Sequence, residues 1–505
     1  MFKRLVINTG SNLVMTANAM VVTFIMTPIY VVNLGHYDYG IREMLLAFTG
    51  YMGMLDIGMR TTVARFVSMY NANDDRTSLL EVYMTSMVFM GLVGLCLALF
   101  FWLLALNWPG VIAPDGETTG KYAMFLLLAG IEILFLFPKF VTESYFEGFQ
   151  YYTLRNGLNI IFTISLATIC YNFITPENGL VLLAGLVACQ QLLQFIIFSV
   201  ILARPAYGSI RPHLNSFSMD KLRQMLTFGF KTFVQGVAYQ LETASDRLVI
   251  GSILGPAVVP VYSVPASLLN NFNGIVYTIT HALMPLFSEL NARSQHDHIK
   301  TIYLYSSKFL LGIIIPGAIA IVVVGGPFIE VWMKGQFSRE QVDGIVLLLM
   351  LYIIIPRLNP VASRYLTAIG KHGIFARVAP LAAIANLGFS IWLVLQLGVI
   401  GAAIGSVIPV VFITPIYLIY TCRNLDVPVM VYVRHVIFPV LIPAWVMLGA
   451  CVWLRNIWAL NSYTEIVGCA IAGGVIYLAA YWTLSISREE KVNIISWLRQ
   501  RYARS

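Results

Sequence analysis

Charge is what this chain has little of. Only 11% of its 505 residues are Asp, Glu, Lys or Arg, against about 25% in soluble domains. With 58% hydrophobic residues and a mean hydropathy of +0.78, that shortage excludes a soluble globular protein and calls for an integral membrane protein. Cysteine is equally sparse. Cys96, Cys170, Cys189, Cys422, Cys451 and Cys469 sit in or beside apolar runs with no paired spacing, which reads as buried free thiols and excludes a disulfide or metal framework. The seven histidines are dispersed, and no Walker A loop, HExxH helix or nucleophile elbow occurs. Connectors are too short to hold a catalytic domain. No enzyme activity, catalytic residue, metal or cofactor is therefore expected. The net charge of +8 does not imply nucleic acid, because basic membrane proteins keep Lys and Arg in cytoplasmic loops. The N-terminal apolar run is too long for a signal-peptide core and lacks a small-residue cleavage site.

What is present is a series of apolar runs long enough to span a bilayer as helices. Fourteen such runs, between residues 9 and 485, predict an all-α polytopic membrane protein. With Lys3 and Arg4 in the cytoplasm, only Arg42, Lys121, Lys334, Arg339 and Arg455 fall in outer loops, out of 32 Lys and Arg. That asymmetry predicts cytoplasmic N- and C-termini. The tail REEKVNIISWLRQRYARS is expected to lie as a basic helix on the anionic inner leaflet.

An internal repeat is legible. Asn12, Thr16, Thr23 and Thr27 form one helix face, and Lys231, Gln235, Glu242 and Asp246 repeat the spacing 219 residues later. Leu34-Gly35 and Leu254-Gly255 are 220 apart, as are Tyr145 and Tyr365, while Pro138-Lys139 and Pro356-Arg357 are 218 apart. The expected organisation is two pseudo-symmetric six-helix lobes, 1–203 and 226–420, joined by a basic cytoplasmic linker, 204–225. Two extra helices and the tail, 421–505, follow. Parallel lobes of this kind suit a transporter that rocks around a central substrate.

Charges inside the spans then need a reason, since each costs roughly 2.5–3.5 kcal/mol at the bilayer centre. Asp56 and Arg60 stand at i,i+4, where they can pair on one helix. Arg65 suits a snorkelling role near the cytoplasmic interface. Glu132, Lys139, Glu143 and Glu147 share a face of the fourth span, and Arg357 and Arg364 share one of the tenth. Lys139 and Arg357 each follow a proline at corresponding depths. The Asn and Thr faces suit helix packing or sugar hydroxyls equally well.

The segment VVNLGHYDYGIREMLLAFTGYMGMLDIGMRTTVARFV resembles the early part of bacterial polysaccharide flippases, matching at Leu34, Gly35, Tyr39, Gly40, Gly50, Tyr51, Leu55, Asp56, Gly58, Ala64 and Arg65. DRLVIGSILGPAVVPVYSVPASL is similar to that family's seventh and eighth helices, at Asp246, Gly255 and Tyr262. The superfamily is that of multidrug/oligosaccharidyl-lipid/polysaccharide exporters. The resemblance implies a bacterial cytoplasmic-membrane flippase that turns an undecaprenyl-pyrophosphate-linked oligosaccharide to the outer leaflet for O-antigen, capsule or exopolysaccharide assembly. Membrane lipids are then partners, with a polysaccharide polymerase or chain-length regulator. A pyrophosphate needs fixed cations, for which Arg60, Lys139, Lys231 and Arg357 are available. Asn12, Gln235, Asn270 and Asn271 suit sugar hydroxyls, and Asp56, Glu132, Glu242 and Asp246 suit coupling or gating. Sodium-using relatives place an acidic residue in the eleventh span, where this chain has Asn386 and Ser390. The alternative within the superfamily is a cation-coupled multidrug exporter, for which Glu132, Glu242 and Asp246 are the relevant residues. A membrane scaffold or glycosyl enzyme would need a loop carboxylate cluster or a soluble domain, and neither is seen.

Overall fold

The computed structural model describes residues 2–108, 110, 112, 119–210, 214–281, 283–371, 373–486 and 491. Every regular element among them is helical. Hydrocarbon favours that outcome, because a helix satisfies its backbone groups within its own segment. Contacts divide the chain into two compact units, Met1–Pro260 and Val261–Ser505. The first holds α1 (Phe2–Met52), α2 (Met59–Ala72), α3 (Arg76–Asn107), α4 (Gly120–Gly148), α5 (Tyr152–Phe173), α6 (Gly179–Leu202) and α7 (Met219–Leu254). α8 (Val259–His281) opens the second, followed by α9 (Leu283–Ala292), α10 (His296–Trp332), α11 (Arg339–Arg357) and α12 (Ala362–Ala368). Next come α13 (Gly373–Leu397), α14 (Val399–Leu425), α15 (Val429–Tyr432), α16 (Phe438–Ile457) and α17 (Tyr463–Ala480). α7 packs against α1, α2 and α3. The expected amphipathic tail falls on residues outside those described.

Eleven helical segments among the described residues are long and apolar enough to cross a membrane. The first, Ile7–Asp56, counts 50 residues. Straight, it would run about 75 Å, more than twice the roughly 30 Å hydrocarbon core. It is not straight: Gly35, at φ 74° and ψ 169°, interrupts it where the sequence separates its first two spans. α7 and α8 do not reach the same standard, α7 because Asp246 and Arg247 add to its other charges, α8 because Asn270, Asn271 and Asn273 interrupt its apolar face. The expected fourteen thus exceeds the eleven by the division at Gly35 and these two polar helices.

Each unit has its own core. In the first, Val63, Val67, Val82, Phe137, Phe146 and Phe198 are fully buried; in the second, Tyr303, Val361, Leu366, Tyr432, Cys469 and Tyr477 are. Apolar residues also face outward, including Leu92, Leu99, Leu103 and Leu106 on α3 and Phe412 and Ile416 on α14. Lipid tails suit such faces. They explain a departure from expectation: four cysteines are buried, but Cys96 and Cys189 are exposed on outward faces of α3 and α6.

Unusual backbone conformations recur at one interval. Left-handed or otherwise positive φ occurs at Gly35 (74°) and Gly255 (91°), Asp74 (52°) and Ser294 (55°), and Gln150 (60°) and Gly370 (73°), each pair 220 residues apart. Side chains follow the interval too. Tyr83 meets Tyr145 edge-on with ring centroids 5.1 Å apart, and Tyr303 meets Tyr365 edge-on at 5.5 Å. The Tyr145 hydroxyl donates to the Leu79 carbonyl at 2.6 Å, the Tyr365 hydroxyl to the Asn424 carbonyl at 3.0 Å.

Candidate functional site

The single helix expected to carry both Asp56 and Arg60 is broken. A 3-10 turn over Gly53–Asp56 ends at Ile57 (φ 50°) and Gly58 (φ 70°), both left-handed, before α2 begins. The cause is local. The Asp56 carboxylate accepts the Gly58 N–H at 2.7 Å, a turn that competes with helix, and glycine tolerates the left-handed φ that follows. Asp56 therefore sits just before the N-terminus of α2, where the helix dipole favours an anion. The expected pair forms across this break, with Arg60 Nε 3.5 Å from Asp56 Oδ2. Arg60 also lies over the Phe140 ring. Its side chain is 43% exposed against 14% for Asp56, so the cation opens outward from its partner. α7 approaches the break at Gly229, where a Cβ would stand 2.2 Å from the Ile57 carbonyl oxygen.

The break borders a cavity of about 530 Å³ within the first unit, lined by Thr49, Asp56, Arg60, Thr61, Glu132, Phe140, Phe233 and Gln240 among others. Its lining offers hydroxyls, an amide and aromatic rings, and among the described residues one cation stands with two carboxylates. The second unit holds a cavity of about 300 Å³ around the break between α11 and α12, where Pro356 and Pro360 interrupt the helix. Arg357 and Arg364, expected on one continuous face, both line it across that break. Arg357 donates to the Ile353 carbonyl at 3.0 Å and to Asn273.

The other expected residues are placed differently. Lys139 is buried and lines neither cavity; its ammonium donates to Gln194 at 3.3 Å, Gln194 to Asn159 at 3.0 Å, and Asn159 to Glu143 at 3.2 Å, tying α4, α5 and α6. Asn12 accepts from Asn156 at 2.7 Å, a contact between α1 and α5. Asn270 is exposed and Asn271 half-buried, and neither lines a described cavity. Asp246 is buried on α7. The side chains of Lys231, Gln235 and Glu242 lie outside the described residues. Sequence reasoning missed Glu43, which accepts from Arg42 at 2.8 Å and forms an ion pair with Arg247 at 3.5 Å, and Asp38, which pairs with Lys121 and accepts from Tyr122 at 3.0 Å. In the eleventh expected span, Asn386 donates to Ser406 at 3.0 Å.

Comparison with known proteins places this architecture. Residues 5–291 match the polysaccharide biosynthesis protein family, and residues 153–468 match the lipid II flippase MurJ family. A Shigella flexneri protein described as an O-antigen transporter is 22% identical over 381 residues, 75% of this chain and 88% of its own. An uncharacterized membrane protein of Methanocaldococcus jannaschii is 20% identical over 406 residues, 76% and 78% of the two chains. Among solved structures, the lipid II flippase MurJ in an inward closed conformation shares the fold at a TM-score of 0.73 with 16% identity, covering 94% of this chain and 98% of that one. An inward-facing multidrug-resistance transporter of the MATE family shares it at 0.62 with 14% identity, covering 81% and 94%. Each family match spans more than half of the chain, and the chain therefore belongs to the polysaccharide biosynthesis protein family of the multidrug/oligosaccharidyl-lipid/polysaccharide exporter superfamily, together with the lipid-linked flippases.

Proposed function

We propose that the protein flips an undecaprenyl-pyrophosphate-linked oligosaccharide from the inner to the outer leaflet of the bacterial cytoplasmic membrane, by alternating access, for surface polysaccharide assembly. One observation carries the reading beyond family membership. The first unit's cavity offers carboxylates, hydroxyls and an amide together with the Phe233 ring, the complement of a carbohydrate rather than of a lipid tail. In this reading fourteen spans form two six-helix lobes plus two extra helices, with both termini cytoplasmic, and a polymerase or chain-length regulator receives the product. Lys231 and Arg357 serve the pyrophosphate, and Arg60, paired with Asp56, borders the cavity for the sugar. Lys139, held by Gln194, is a positioning residue.

The second reading, cation-coupled multidrug export, is favoured by the two carboxylates that outnumber Arg60 among the described residues of the same cavity. One reconstitution separates the two. Proteoliposomes containing a fluorescent undecaprenyl-pyrophosphate oligosaccharide should show transfer between leaflets that Phe233→Ala and Gln240→Ala slow at least about tenfold. Accumulation of a cationic dye under a pH gradient, with no movement of the glycolipid, would replace the flippase reading with the exporter one.

A further inference from the structure

The two cavities occupy corresponding places in the chain. Asp56, Arg60, Leu136 and Phe140 line the first; adding 220 to each number gives Val276, Thr280, Pro356 and Pro360, all of which line the second. The interval is the one at which Gly35, Asp74, Gln150 and Tyr145 recur as Gly255, Ser294, Gly370 and Tyr365. Charge does not follow the correspondence. The ion pair of the first cavity, Asp56 and Arg60, is replaced by Val276 and Thr280, and the cations of the second arrive instead on α11 and α12 as Arg357 and Arg364. Among the described residues no Asp or Glu lines the second cavity. Among the same residues, one cation faces two carboxylates in the first, and two cations face none in the second.

The polar groups of the second cavity are also left incomplete. Arg364 lies 4.4 Å over the Tyr277 ring, forms no ion pair among the described residues, and its Nε has no hydrogen-bond partner among them. Asn359 is only 6% exposed; its Oδ1 accepts from the Tyr303 hydroxyl, yet its Nδ2 has no partner among the described residues. A buried amide N–H left unmade is costly, and an arginine stacked on an aromatic ring keeps its edge donors for an acceptor. Every one of these groups donates. What completes the site is therefore an acceptor-only group with spread negative charge.

We propose that the second unit holds a diphosphate-binding site in the cavity lined by Arg357, Asn359 and Arg364, flanked by the hydroxyl of Ser363. The volume, about 300 Å³, lies at the lower end of ligand cavities and suits a diphosphate without its glycan. This deepens the flippase reading and rests on it for the source of the group. The anion is gripped in the second unit, while the cavity of the first is left for sugar.

The test uses the full chain in lipid nanodiscs, titrated calorimetrically with inorganic pyrophosphate and with farnesyl diphosphate. Arg364→Gln and Ser363→Asp should each weaken both ligands at least about tenfold, the loss expected of a charge-assisted contact. Arg364→Lys should recover part of the loss, and Arg60→Gln should change affinity less than about twofold. Ser363→Asp leaves both arginines in place and guards against a misfolded Arg364 variant. Equal affinity for the two ligands supports the site with a free diphosphate as sufficient occupant; tenfold tighter farnesyl diphosphate supports it with a lipid-borne one. Absence of saturable binding, or affinity lost through Arg60→Gln and kept in Arg364→Gln and Ser363→Asp, overturns it. Diphosphate binding without any glycolipid transfer in the reconstitution leaves this site standing and removes the flippase reading.

Discussion

Two glycines on α7 give a matched experiment with opposite expected signs. A Cβ at Gly229 would stand 2.2 Å from the Ile57 carbonyl oxygen and 3.2 Å from Thr62 Oγ1, whereas one at Gly236 meets nothing within 4 Å. Neither glycine has a positive φ, so the backbone itself tolerates alanine. Gly236→Ala should thus gain the helix-propensity difference, roughly 0.5–1 kcal/mol. At Gly229 the same gain is opposed by a clash with backbone, which has no flexible end to move aside. Relief needs a shift of about 1 Å between α7 and the helix break, and overpacking of this kind costs typically about 1–3 kcal/mol. Thermal unfolding of detergent-purified protein, followed by a thiol-reactive dye at the native cysteines, should move upward for Gly236→Ala and downward for Gly229→Ala. Because the obstructed carbonyl belongs to the turn that sets Asp56 against Arg60, export of surface polysaccharide in cells should fall with Gly229→Ala. Shifts of the same sign and size in both variants would refute the close approach of α7 to the break.

Further outcomes follow from other contacts. Tyr145→Phe and Tyr365→Phe each remove one hydrogen bond to a carbonyl; each should cost about 0.5–1.5 kcal/mol in the same melt, with the larger loss at Tyr365, whose acceptor Asn424 lies in the last turn of α14. Asp75, which caps α3, is held below the usual carboxylate range by the Ser78 N–H. Its contribution is present above the ordinary carboxylate pKa and lost as pH falls through the lowered one, so hydrogen exchange in the first turn of α3 should quicken only in acid, and at all pH values in Asp75→Ala. A cysteine at Gln336 should react with an impermeant reagent from the periplasm and one at Asn73 should not; reversal would invert the expected orientation. Expelling two negative charges gains roughly 4–5 kcal/mol per 100 mV of inside-negative potential, so dissipating the potential should slow outward transfer at constant pH gradient.

Much of the fold was legible because membrane constraints write themselves into long apolar runs. The division of α1 was readable at Leu34-Gly35, and the repeat was readable from Tyr145 and Tyr365. The Asp56–Arg60 pair was also expected, although for a different local reason: the sequence suggested one helical face, while the structure joins the two across an Asx turn at Gly58. Asp-x-Gly is itself a turn signal, and the apolar surroundings concealed it. Partners set by tertiary packing were not legible. Gln194 lies 55 residues beyond the lysine it receives, and Arg247, beside Asp246 in sequence, pairs instead with Glu43. Arg364 was visible as a neighbour of Arg357, but only the break between α11 and α12 brings both to one cavity.

The pairing of Glu43 with Arg247 also has a consequence for how the molecule is made. The two residues lie about 200 positions apart, so at about 5–20 residues per second the carboxylate waits roughly 10–40 s for its distant arginine to emerge from the ribosome. During that interval Arg42, its neighbour in the chain, is the cation at hand, 2.8 Å away in the finished protein. An adjacent arginine thus gives Glu43 a counter-charge within its own helix while the segment carrying Arg247 is still unmade.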